Sequence, residues 1–296
     1  MAYPTVDAPY GFKAINELNG LPYAGATRQF PIARSYGTDL FYGDLVQLTT
    51  DGTLIKTSYS AASSPTSVIA GAIGVFVGCQ FTNPTTKQLQ FSQYYPASTA
   101  ANDILAFVID DPSAVFKVAV VGQAYNTISN TVSTIGYANQ SLIGTNVYAI
   151  TGVAGSTTTG NSKMAVSGTY PATSGTGVKR VASTSLPFRV VALVPETAYT
   201  VTGTGGTSGS STTALVLDAA ITGLQAGMAV VAPGATAGAY FPGSFNYVTN
   251  VNGTAVTLAS AITLANGSPV SFVGFPEVLV KWNQGWHSYQ YATGLA

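Results

Sequence analysis

At 296 residues and 46% hydrophobic content, the chain can bury one large core or two smaller ones. Charged residues make up only 7%, and eleven Lys and Arg balance eleven Asp and Glu. The scattered basic residues offer no footprint for a polyanion, so nucleic acid is not an expected partner. A surface this poor in charge associates readily, which suits a protein packed against neighbours.

Residues 1–35 are rich in aromatic residues, Gly and Pro, with little periodicity, and read as an extended N-terminal arm. AINEL, 14–18, could form a helical turn, which Asn19-Gly20 and Pro22 would stop. GDLVQLTTDGTLIKTS, 43–58, alternates on either side of Asp51-Gly52, a hairpin signal. VIAGAIGVFVGCQF, 68–81, is a long apolar run whose glycines suggest bends where a small barrel closes. QLQFSQYYPAS alternates again, and ILAFVIDDPSAVFKVAVVG reads as two strands joined at Asp110-Asp111-Pro112. TNVYAI, KMAV and LPFRVVALVPE complete about nine short strands before residue 197. No stretch has a helical apolar period, so the fold class is all-β, a small barrel or sandwich.

Composition shifts at residue 198. From there to 274 the only charged residue is Asp218. AYTVTGTGGTSGSS reads as a flexible Gly/Ser/Thr connection. STTALVLDAAITGLQAGMAVVAPG, FNYVTNVNGTAVTLASAI and SPVSFVG follow as strands, with Asn252-Gly253 as a hairpin turn. EVLVKW, 277–282, then returns to the style of PFRVVALV, 187–194, and the two are expected to pair antiparallel. The reading is a main β domain, 36–197 plus 275–296, with a small β module, 198–274, inserted where a hairpin loop would otherwise lie. Val278, Val280 and Trp282 should share one face of the last strand.

Candidate chemistry is sparse. Cys79, the only cysteine, lies in an apolar run and is expected to be a buried, inert thiol. His287, the only histidine, lies beyond the last strand and reads as a surface or interface residue, since GxSxG does not occur. Glu196 and Glu277 flank the proposed insertion, but polar strand ends explain them as well as paired catalytic carboxylates. Asp103, Asp110 and Asp111 lack the spacing of a calcium loop, and no Gly-rich phosphate motif is present. The expectation is therefore no catalytic residue, no cofactor and no metal. MAYPTVDAPYGFK is not a secretory signal and no apolar window is long enough to span a membrane, so assembly in a cytoplasm is expected. The candidate interaction residues are Tyr3, Tyr10, Phe12, Leu21, Tyr23 and Phe30 in the arm, set along a neighbouring subunit, another copy or a partner protein, with folding back over the chain's own barrel as the alternative. Tyr240, Phe241, Phe245 and Tyr247 are candidates on the module surface.

A resemblance runs through VDAPYGFKAINELNGLPYAGATRQFPI, LFYGDLVQLTTDGTLIK, AGAIGVFVGCQF, FSQYYPASTA, FVIDDPSAVFKV, LPFRVVALVPE and EVLVKWNQGWHS. In this order they resemble the head decoration, or cement, proteins of tailed phages. The resemblance covers nearly all of 1–197 and 275–296 but not the module. It implies a virion structural protein on the capsid exterior, without catalytic residues, often a homo-trimer, with the major capsid protein as partner. An adhesion or receptor-binding protein with a glycan-binding module is the alternative. A virion enzyme and the shell-forming subunit itself are further classes, the latter disfavoured by the lack of a long spine helix.

Overall fold

The structure, a computed structural model, describes residues 9–17, 20–57, 71–121, 136–147, 149–167, 186–235, 246–283 and 287–290. The fold is all-β, and among the described residues helix is confined to three single 3-10 turns. In chain order the strands begin with β1 Lys13–Glu17, β2 Arg28–Pro31, β3 Leu45–Leu48, β4 Leu54–Lys56, β5 Ala72–Thr82 and β6 Leu89–Ser92. There follow β7 Leu105–Ile109, β8 Ala114–Val121, β9 Asn146–Val147, β10 Ala149–Ile150, β11 Ala165–Ser167 and β12 Phe188–Leu193. The last are β13 Tyr199–Gly206, β14 Thr212–Leu217, β15 Ala229–Val231, β16 Val248–Asn252, β17 Ala255–Ile262, β18 Ser268–Gly274 and β19 Glu277–Trp282.

Three sheets result. The first runs β2-β7-β5-β3-β4, with β6 on the far half of β5. The second runs β10-β11-β8-β19-β12-β9, with β1 also on β8. The third, β15-β18-β13-β14-β17-β16, uses only strands between 199 and 274.

Strand β5 explains why one sequence run is apolar almost throughout. Ala72 and Val75 enter a core shared with β8, β12 and β19. Ile73, Phe76, Cys79 and Phe81 enter a second core, inside the curl of the first sheet. Leu45 and Val46 divide between the two cores in the same way, as do Ile109 and Val108. A strand buried on both faces needs apolar residues at every position rather than at alternate ones. The register of β5 shifts between Phe76 and Gly78 against β7, the irregularity its glycines suggest. The Asp110-Asp111-Pro112 turn joins strands that do not pair with each other: β7 belongs to the first sheet and β8 to the second.

Strands β12 and β19 pair antiparallel, from Phe188 opposite Trp282 to Leu193 opposite Val278. Val278, Val280 and Trp282 are all buried in the shared core. Val194 N–H donates to Glu277 O at 3.3 Å, so the chain leaves and re-enters the second sheet at one point. Between those points the third sheet closes around its own core, with Leu215, Met228, Val248, Ile262 and Phe272 at its centre. Segment 137–139 touches it: the Tyr137 ring stacks on Tyr199 at 5.4 Å, and Asn139 Nδ2 donates to Gly227 O at 2.6 Å.

Two local readings are corrected. AINE is not a helical turn but most of β1, held against β8. The Gly/Ser/Thr run after 198 is not a flexible connection in its first half. Residues 199–206 are an eight-residue strand between β18 and β14. Tyr199 and Val201 alternate inward, and the glycines permit close strand approach: a Cβ on Gly205 would lie 2.5 Å from Val216 O.

Candidate interaction surfaces

The described part of the N-terminal arm is built into its own chain. Gly11 N–H donates to Met164 O at 3.1 Å and Phe12 N–H to Gly43 O at 3.0 Å. Gly11 and Gly43 both have positive φ, and a Cβ on Gly11 would lie 2.8 Å from Gly43 O, so the passage admits no side chain. Phe12, expected against a partner, is fully buried. Its ring stacks on Phe188 at 4.7 Å and meets Phe116 edge-on at 6.3 Å. The reason the sequence missed this is physical: an aromatic residue without local periodicity can still fill a core made by distant strands.

Tyr10 is half-buried, and its phenol donates to Glu277 Oε1 at 2.6 Å. Burial, and then the hydrogen bond and charge of Glu277, push the Tyr10 phenol well above its ordinary range. Lys13 Nζ lies 4.4 Å from the Tyr10 ring centroid, and Lys117 Nζ lies 3.5 Å from Glu277 Oε2. Tyr23 is half-buried against the shared core, and its hydroxyl donates to Ala26 O. Burial, followed by Asp111, Asp110 and Glu17, pushes the Tyr23 phenol up to about 12. Phe30 packs on the second core from β2. Leu21 alone among the described arm candidates is broadly exposed, at 58%. Tyr3 lies outside the described residues, as do Tyr240, Phe241 and Phe245. Tyr247 is half-buried and bridges Ala229 through its backbone.

Among the described residues the most exposed large apolar side chains are Phe91, at 67%, and Leu89, at 59%. Both lie on β6, two residues apart and so on one face of the strand. The strand pairs with β5 from Thr82 opposite Leu89 to Cys79 opposite Ser92. The connection is held by Asn83, whose Oδ1 accepts from Thr85 N at 2.9 Å and Thr86 N at 3.2 Å. The β5–β6 hairpin thus presents an apolar pair to solvent. In sequence, QLQFS alternates like a half-buried strand; only the structure shows that Leu89 and Phe91 stay exposed, at 59% and 67%, among the described residues.

The residues considered for chemistry are placed apart or put to structural use. Cys79 is buried, and burial pushes its thiol up to about 12. Glu277 is buried between Tyr10 and Lys117, whereas Glu196 is exposed. Asp103 accepts from Thr82 Oγ1 at 2.6 Å and from the Thr82 backbone N–H. Asp110 pairs with Arg28 Nε at 2.8 Å, and Asp111 Oδ1 accepts from Ser113 N at 2.7 Å. Among the described residues no group of His, Cys, Asp and Glu could hold a metal ion, and no helix is long and apolar enough to cross a membrane.

Two further features were not signalled by the sequence. Asp44, fully buried in the GDLV stretch, accepts from Phe41 N at 2.9 Å and from Ser162 Oγ at 2.6 Å, and pairs with Lys56 Nζ at 3.1 Å. Burial raises its carboxyl pKa, while Lys56 and the hydrogen bonds pull it back. Lys56 also lines an open cleft of about 530 Å³ between the first sheet and residues 151–154, together with Tyr36, Asp39, Phe41 and Thr57. His287 is not on the surface. It is fully buried, edge-on to Trp282 at 5.4 Å and to Tyr289 at 5.1 Å. Its aromatic surroundings are a core, closed by a segment that returns after β19.

Comparison of the chain with protein-family models, curated proteins and solved structures returns no match.

Proposed function

We propose that the chain is a virion structural protein that decorates the outside of an icosahedral phage head and stabilises it by bridging capsid subunits. The observation that carries this reading is the exposed pair Leu89 and Phe91 on the β5–β6 hairpin, on a chain with only 7% charged residues. An apolar pair left exposed among the described residues is a partner site in the making. The ordered resemblance of 1–197 and 275–296 to head decoration proteins supports the same role. The partner is the major capsid protein, and the working form is a homo-trimer. The segment 198–274 is an inserted, outward-facing domain.

The energetics favour repetition over strength. Burying a Leu and a Phe against an apolar partner contributes about 3 kcal/mol when the two are already partly covered. One such contact gives a weak complex; three in a trimer, seated on a lattice that fixes their spacing, give a tight one by effective concentration. With so few charges, the contact depends little on ionic strength.

The test is the heat survival of heads with and without the chain. Heads carrying it should keep their DNA to a higher temperature than heads lacking it. Equal survival of the two would contradict the stabilising role. Sedimentation of the free protein tests the trimer.

A further inference from the structure

We infer that residues 287–290 form an acid-released clasp, with His287 as its proton sensor, that locks the first and second sheets together at neutral pH. Four contacts make the clasp. His287 bridges Ala72 at the start of β5, and Ser288 Oγ donates to Gly71 O at 2.8 Å. Tyr289 OH donates to Asp110 Oδ2 at 2.7 Å, the oxygen that Arg28 Nε of β2 reaches at 2.8 Å. The His287 ring lies edge-on to Trp282 of β19. One short segment thus holds β2, β5, the β7–β8 turn and β19.

The hydrogen bonds define the protonation state. His287 Nδ1 accepts from Tyr289 N–H at 3.3 Å, so the single proton of the neutral ring sits on Nε2. Among the described residues neither His287 Nε2 nor Trp282 Nε1, both buried, has a partner within hydrogen-bond distance. A second proton must go to Nδ1, where it would face the Tyr289 N–H, donor against donor. Protonation therefore breaks the bond that ties the ring to the Tyr289 N–H, beside the backbone bond from Gln290 N–H to His287 O at 2.8 Å that closes the turn, and places a charge on a fully buried ring.

The groups around the ring decide the direction. Burial against Trp282 lowers the His287 pKa from its ordinary value; the Ile73 backbone on β5 and the carboxylates of Asp110 and Asp111 oppose this without reversing it. Arg28, from β2, already neutralises Asp110. The unfolded or released segment takes up a proton near pH 6.5. Between that pH and the lowered pKa of the closed form, the released form binds more protons, so acid favours release. The open population grows about tenfold per pH unit across that window. Release uncovers Trp282 and frees Asp110 and Arg28 on the edge of the first sheet.

The chain has one histidine, so a nitrogen-15 histidine label on the full chain reports this site alone. NMR titration from pH 8 to 4.5, with hydrogen exchange at 71–73 and 287–290 in parallel, tests the clasp. The expected result is a His287 midpoint below about 6.5 and a loss of protection in both segments over the same pH range. His287→Gln keeps a neutral acceptor and should abolish the acid step while leaving exchange at pH 7.5 slow; His287→Phe, which keeps an aromatic ring but loses the Nδ1 acceptor, should also show no acid step, whatever its exchange at pH 7.5. A His287 midpoint at or above the ordinary value would overturn the inference. So would an acid step that persists unchanged in the folded variants.

Discussion

The rings of Phe12 and Phe188 lie stacked, centroids 4.7 Å apart and planes 22° from parallel. Phe188 opens β12 and Phe12 precedes β1, so the stack ties the N-terminal segment to the strand from which the chain leaves for the third sheet. Phe12→Ala removes a fully buried ring and should cost about 3–5 kcal/mol. Urea unfolding of the variant measures this. A loss under about 1 kcal/mol would mean that the segment only rests on the core.

The Asp44–Lys56 pair makes a second prediction. Breaking a buried pair strands the surviving charge and costs about 3–5 kcal/mol. Lys56→Met should destabilise by that order, because it leaves the Asp44 carboxylate buried with only Ser162 Oγ and Phe41 N–H. Asp44→Asn combined with Lys56→Met should recover much of the loss. A double-mutant cycle in denaturant reads the coupling, and additive losses would show that the two residues do not work as a pair.

Cys79 offers a probe of opening. With its thiol raised to about 12 and buried, almost no thiolate exists at pH 8. A disulfide reagent should label native protein no faster than the first sheet opens, and at once in denaturant. Rapid labelling of the folded chain would contradict the packing of β5 against the second core.

The closeness of Val194 and Glu277 predicts that 198–274 can be exchanged for a short Gly-containing turn. The remainder should still melt cooperatively, losing the Tyr137–Tyr199 stack and the Asn139–Gly227 bond. Circular dichroism against temperature checks it. A broad, non-cooperative melt would show that the third sheet and the rest fold as one unit.

Much of this architecture is legible in the residues. Period-two alternation and the Asp51-Gly52 and Asn252-Gly253 turns mark their hairpins, and the likeness of 187–194 to 277–282 foretells their pairing. What fails is whatever depends on distant partners. Residues 199–206 have linker composition, yet the glycines serve close strand packing. His287 has a polar neighbourhood in sequence and a buried one in space, because a segment beyond β19 folds back onto β5. Leu89 and Phe91 alternate like core residues, and nothing local reveals that both stay exposed among the described residues.

The most direct measurement of the central claim is co-sedimentation of the chain with phage heads stripped of it. The wild-type chain should pellet with the heads to a fixed, saturable stoichiometry. The Leu89→Ser/Phe91→Ser variant should keep its melting temperature and bind at least about tenfold more weakly, the equivalent of about 1.4 kcal/mol in all. A wild-type chain that stays in the supernatant at every concentration would contradict the decorating role. A variant that binds as tightly as wild type would contradict the placing of that role on β6.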